Sequence, residues 1–266
     1  MTDEGDFRFR PDSIDAGIFF LVVQGNEYRL PDHFRRDDLV VDIGAHIGAF
    51  TYAVLKRGSR CVYAIEAGEE NCRIASEHLA PFIERGEVTL VHGAAWRSDP
   101  NDDQLWFEGH PRFRGFPGLD GVVNTGGGSV CWSRDGEPVP KIAFDPFILD
   151  ITDNGRRRVR LLKLDCEGAE WPILLTARTL HLIDEICGEF HEIGGQFPEI
   201  SQTCDPRGPV FRFECIQRFT IDLLRRPLNE AGFDVTFRRH RRPTGEIEGL
   251  GHFFATRPGL IAPGGR

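Results

Sequence analysis

Three short blocks of this chain combine residue types and spacings that can do chemistry, and each follows an apolar run. The first is Asp42-Ile43-Gly44-Ala45-His46-Ile47-Gly48. Glycines at 44 and 48 suit a turn in which φ becomes positive or a ligand comes close to the backbone, and a helix opening near Gly48 would present free N–H groups. A G-x-G-x-x-G dinucleotide fingerprint would need glycine at His46. Asp42 also speaks against a pyrophosphate here, because phosphates favour the N–H groups of an uncharged turn and helix start. A sulfonium compound carries no phosphate and tolerates a neighbouring acid. Glu66 closes the second block, CVYAIE; at the end of a second parallel strand a carboxylate can accept both hydroxyls of a ribose.

The third block is Lys163-Leu164-Asp165-Cys166-Glu167-Gly168-Ala169-Glu170. Strand ends in open parallel sheets converge on one crevice, so Asp165 and Glu167 should face the same space as Asp42 and Glu66. Two such acids can share a proton, hold a base or bind a divalent cation. Glu170, and Glu167 itself, can equally serve the start of the following helix. Glu189-Phe190-His191 adds an acid and an imidazole on one face of a further strand.

The elements that position these blocks follow from hydrophobic pattern. LVVDI (39–43), CVYAIE (61–66), VTLVHGAA (88–95), VRLLKLD (159–165) and IDEICGEFHEI (183–193) read as buried strands. Between them AFTYAVLKR, closed by Gly58, EENCRIASEHLA, ended by Pro81, and EGAEWPILLTARTL read as helices. A late helix over 215–231 precedes an antiparallel pair, FDVTFRRH and GHFFATR. Strands alternating with helices predict an α/β fold with a doubly wound, mostly parallel sheet. Residues 97–140, rich in Gly, Pro and Asp, are expected to form a β-hairpin insertion with a mobile tip, since a structureless loop of that length is rare. The expected division is an N-terminal extension packing on the core (1–37), one domain over 38–257 that contains the insertion and a loop at 194–214, and a tail at 258–266. Segments 109–130 and 194–214 are expected to close over a substrate as lids.

Composition narrows the partners. A net charge of -9 excludes a general phosphate-backbone binder, and no apolar run reaches the ~20 residues of a membrane span. The acidic N-terminus does not read as a secretory signal, and seven cysteines without CxxC pairing suit reduced thiols and the cytoplasm.

The blocks DIGAHIGAFT (42–51), AIEAGEENCRIASEHL (64–79), LLKLDCEGAEWPIL (161–174) and GEFHE (188–192), in this order, resemble the FkbM family of S-adenosylmethionine-dependent methyltransferases. The resemblance spans roughly 38–240, with KxDxEGxE its most specific element. It implies a Rossmann-like seven-stranded methyltransferase sheet and methyl transfer to a hydroxyl of a small molecule, sugar or natural product. The implied cofactor set is Asp42, Gly44, His46, Gly48, Glu66, Asn71, Ala94 and Ala95; His46 stands where the family more often has Asn. The catalytic set is Asp165, Glu167 and His191, with Asp165 or His191 as base and Glu167 orienting. A divalent cation on Asp165 and Glu167 is a less favoured variant, and no metal ligand is assigned. The expected partner is a small-molecule methyl acceptor, with no nucleic acid, no membrane and a possible homo-oligomer. A nicotinamide-dependent oxidoreductase and a catalytically inactive cofactor-binding partner protein are the alternatives.

Overall fold

The structure is a computed structural model that describes residues 7–100, 103–109, 120–132, 134, 136–194, 209–241 and 245–259. The chain runs through α1 (Asp15–Phe19), continued by a π-turn at Phe20–Gln24, then β1 (Leu39–Ile43), α2 (Ala49–Lys56), β2 (Cys61–Glu66), α3 (Glu69–His78), α4 (Ala80–Glu84) and β3 (Val88–His92). Next come β4 (Ala94–Trp96), β5 (Leu105–Phe107), β6 (Glu137–Val139), β7 (Lys141–Ala143), α5 (Phe144–Ile151), β8 (Val159–Leu164) and α6 (Glu170–Thr176). β9 (Glu185–His191), α7 (Ile221–Glu230), β10 (Asp234–Arg241) and β11 (Ile247–Thr256) complete it.

Seven strands form one sheet in the order β10-β11-β9-β8-β1-β2-β3. The five from β9 to β3 are parallel, and β11 runs antiparallel to both β9 and β10. Alternation along the strands splits the core in two. Leu39, Val41, Ile43, Leu162 and Leu164 face a layer that includes α5, α6 and α7. Val40, Val62, Leu161 and Cys187 face α2, α3 and the N-terminal segment, which adds Phe7, Phe19, Val22, Tyr28, Leu30 and Phe34. Helices thus cover both faces, as the burial of β1 and β8 on both sides requires.

Three boundaries differ from the pattern-based expectation. The run 88–95 is two strands: β3 stays in the large sheet, while Gly93 ends it and β4 pairs in parallel with β7. A Cβ at Gly93 would stand 2.7 Å from the tip of the Ile142 side chain and 3.0 Å from the Pro140 carbonyl oxygen, so the crossing between sheets is tightly packed there. α3 ends at His78, before Pro81 as expected, but Pro81 lies in the first turn of a further helix, α4, where a missing N–H costs nothing. The late helix begins at Ile221 rather than 215, where the Glu192 carboxylate accepts the Ile221 N–H at 2.9 Å. Within the insertion, β5 and β6 form an antiparallel pair. Residues 110–119 and 195–208, which hold much of the two expected lids, lie outside the described residues. Among the described residues, no helix is long and apolar enough to cross a membrane.

Candidate functional site

The carboxyl ends of β1, β2 and β8 open on one cavity of about 810 Å³, solvent at its mouth included. Close backbone contact builds its floor. Gly44 has φ +81°, and a Cβ there would lie 1.8 Å from the carbonyl oxygen of Asp165, so residue 44 can only be glycine. The same approach is recorded by the Asp165 N–H donating to the Ile43 carbonyl at 3.1 Å. His46 sits at φ +52°, a left-handed conformation in which Asn, Asp and His are the side chains most readily tolerated. Histidine and asparagine at this position therefore meet the same backbone demand.

Glu66 ends β2 with its carboxylate fixed by backbone amides. It accepts the His46 N–H at 2.7 Å and the Gly68 N–H at 2.8 Å, with Asn71 Nδ2 at 3.4 Å. Gly44, His46, Glu66, Asn71, Ala94 and Ala95 all line the cavity. Gly48 and Asp42 do not. Gly48, at φ +90°, is the N-cap of α2. Asp42 is fully buried below the floor, where it accepts the Thr51 hydroxyl at 2.7 Å and pairs with Lys163 at 3.3 Å.

Lys163 is the keystone of that floor. Its ammonium donates to the Gly44 carbonyl at 2.6 Å and the Ile43 carbonyl at 3.4 Å, and stands 3.8 Å from Asp165. Burial works against its charge, but Asp42 and Asp165 outweigh burial and raise its pKa. Beyond Asp165 the chain turns through two left-handed residues, Glu167 at φ +52° and Gly168 at φ +101°. Glu170 holds this turn, accepting the Cys166 N–H at 2.8 Å and the Gly168 N–H at 2.9 Å. Both its oxygens serve the backbone of the turn before α6, and Oε1 also stands 3.5 Å from His191 Nδ1.

Asp165 and Glu167 line the cavity; His191 is not among the lining residues. The imidazole stands among three carboxylates, with Glu167 at 3.4 Å, Glu170 at 3.5 Å and Glu189 at 3.5 Å. Although burial opposes the imidazolium, Glu167 and Glu170 hold the His191 pKa well above its usual value. Burial pushes Glu167 up to about 8, helped by Asp165 and Glu189 and opposed by His191. One donor atom from each of Asp165, Glu167 and His191 lies within 4.8 Å of the others.

The N-terminal segment supplies site residues that no motif announced. The Tyr28 hydroxyl donates to Asp165 Oδ2 at 2.7 Å. Arg10 binds Asp15 through two nitrogens at 2.9 Å and donates to Asn71 Oδ1 at 2.7 Å. Thr125, from the insertion, donates to Asp15 at 2.6 Å and meets His46 Nε2 at 3.0 Å. These contacts leave His46 Nδ1 buried with no hydrogen-bond partner among the described residues. Lys163 stood inside the third block and could have been found there; Arg10, Asp15, Tyr28 and Thr125 lie in segments without a pattern.

The family model for the methyltransferase FkbM domain matches residues 42–234. The chain belongs to the FkbM methyltransferase family. The match begins at Asp42 and takes in every strand end of the cavity, so the large sheet is the Rossmann-like methyltransferase sheet and the protein is a methyltransferase. Among solved structures, methyltransferase FkbM from Methylobacillus flagellatus is 17% identical over 84% of this chain and 44% of its own, with a TM-score of 0.44. Precorrin-6y C5,15-methyltransferase from Geobacter metallireducens is 13% identical over 96% of both chains, with a TM-score of 0.43. A SAM-dependent methyltransferase from Agrobacterium tumefaciens is 11% identical over 94% of this chain and 63% of its own, with a TM-score of 0.40. No curated protein matches the sequence.

Proposed function

We propose that the chain transfers a methyl group from S-adenosylmethionine to a hydroxyl of a small polar molecule, such as a sugar or a natural product. The observation that carries this reading is the charge of the cavity wall. Glu66 and Asp165 line it, Glu167 adds a carboxyl that burial keeps mostly protonated near neutral pH, and Lys163, already bonded to two carbonyls, is the sole lysine or arginine among the described lining residues. Such a wall suits a sulfonium cation and repels a pyrophosphate, which argues against a nicotinamide dinucleotide. Glu66 Oε2, which accepts the His46 N–H, keeps acceptor capacity for a ribose hydroxyl. Phe107, Val130, Ala94 and Ala95 give the apolar flank that an adenine ring needs.

When bound, S-adenosylmethionine supplies an electrophilic methyl group to an aligned nucleophile, so positioning accounts for much of the rate. The protein must still take the hydroxyl's proton. Asp165 fits that role: it lines the cavity, and Tyr28 and Lys163 fix its carboxylate. His191, kept cationic by its carboxylates, is a poor proton acceptor and orients Glu167 instead. A second reading, in which a divalent cation on Asp165, Glu167 and His191 activates the hydroxyl, is favoured by the convergence of their donor atoms. Titration calorimetry tests the central reading: heat with S-adenosylmethionine and its demethylated product, and none with NAD, is expected. Folded protein that binds neither adenosyl compound refutes it.

A further inference from the structure

Strands β9, β11 and β10 are sheet neighbours, and their register brings a second set of ligand-type side chains together. Glu189 pairs across with His252, and His252 pairs across with Arg238. His240 lies two residues beyond Arg238, so it shares the face of His252. The ladder is irregular between Arg239 and Arg241, and there the His240 ring meets the His252 ring, Nε2 to Nδ1 at 3.0 Å. Glu189 Oε1 stands 3.5 Å from His240 Nδ1. A donor atom of each of the three lies within 4.8 Å of the others.

Two imidazoles and one carboxylate are the donors preferred by zinc-class ions; all-oxygen sets suit magnesium and calcium. Bonds of about 2.0–2.1 Å at tetrahedral angles put ligand atoms roughly 3.3 Å apart, so the imidazole pair already stands near the required separation. The far side of His252 is arranged to match. Glu27 places a carboxylate oxygen 3.8 Å from His252 Nε2. An acid this close, though beyond hydrogen-bond length, favours a proton on Nε2 and so the tautomer whose Nδ1 lone pair points to His240; closing the gap would give the usual support for a ligating histidine. The Tyr28 ring packs edge-on against the His252 ring at 5.5 Å and restricts its rotation. His252 is buried, whereas Glu189 and His240 are partly exposed, which leaves an approach for an ion and for water as a further ligand.

We propose that Glu189, His240 and His252 form a binding site for a divalent transition-metal ion of the zinc class; it shares no ligand with the Asp165, Glu167 and His191 group, although Glu189 Oε2 stands 3.5 Å from His191. The ion would tie β9 and β10 through β11. The site does not depend on the methyl acceptor or on the cofactor reading.

Cobalt(II) is a suitable probe because its visible absorption reports a low-coordinate nitrogen and oxygen environment. The EDTA-treated full chain is expected to take up one equivalent with visible bands, displaced by zinc. His240→Ala and Glu189→Gln each abolish these bands, Glu27→Gln weakens binding by roughly 10-fold, and the double variant Asp165→Asn/Glu167→Gln retains them. His240 is partly exposed and its replacement leaves the core intact; His240→Gln serves as the second variant, with circular dichroism checking the fold of each. No stoichiometric binding to the wild type overturns the proposal. So does binding that survives both His240 variants, or binding lost only with Asp165 and Glu167.

Discussion

Replacing Lys163 by methionine removes a charge while keeping most of the side chain's length and apolar stem. The perturbation is large because nothing else can neutralise the partner: Lys163 is 4% exposed, Asp42 0%, and they stand 3.3 Å apart. At an effective dielectric near 20, charges at that distance attract by about 5 kcal/mol. Breaking a buried pair from one side costs roughly 3–5 kcal/mol, since the other charge stays buried without compensation. For a domain of this size that corresponds to a fall in Tm of roughly 6–20 °C. Urea unfolding followed by tryptophan fluorescence measures the loss, with Asp42→Asn and the double variant completing a cycle. The double variant is expected to recover most of the stability, because no unpaired charge remains. Its affinity for S-adenosylmethionine stays reduced, because the amine that anchors the Gly44 carbonyl at 2.6 Å is gone. A loss below about 1 kcal/mol in Lys163→Met, or a double variant less stable than that single one, refutes the reasoning.

Three further predictions probe the site. Glu66→Gln, which exchanges an acceptor oxygen for a donor beside the His46 and Gly68 amides, is expected to weaken S-adenosylmethionine binding by roughly 1.5–3 kcal/mol in calorimetry, the range for hydrogen bonds to a charged group. Asp165→Asn is expected to lower turnover by ~10²-fold with little change in cofactor affinity, as loss of a general base does; a lower Tm with full turnover in the folded fraction would assign Asp165 a structural role instead. Glu167, raised in the folded protein from 4.5 to about 8, gives stability that is fully present below pH 4.5 and is lost as pH rises towards about 8. Tm measured from pH 5 to 9 is therefore expected to fall less steeply in Glu167→Gln than in the wild type, and parallel slopes would contradict the shift.

The parallel half of the fold was legible because strands buried on both faces are rich in Val, Leu and Ile, as in Leu39–Ile43 and Val159–Leu164, where few charged residues interrupt them. Pattern failed where one run serves two partners: Ala94 and Ala95 are as apolar as the strand before them, and it is their pairing with β7, which no periodicity announces, that takes them out of the large sheet. Strand-end acids could be placed near one crevice but not at a depth within it. Asp42 and Asp165 look alike in sequence, yet the first lies under the floor and the second on it, because Lys163 and Thr51 occupy Asp42. Tyr28 could not be read at all, since a hydroxyl meeting a carboxylate 137 residues away leaves no local periodicity.

That long tether has a consequence for biosynthesis. Translation at about 5–20 residues per second delivers Tyr28 roughly 7–27 s before Asp165, its partner 137 positions later. During that interval the phenol has no acid to bind and the cavity has no eighth strand. The cavity therefore closes as a late event, when β8 inserts beside β1 and the waiting N-terminal segment clasps it. Enzymatic activity in a nascent or refolding chain would then report the docking of its opening residues, well after α2 has packed against β1.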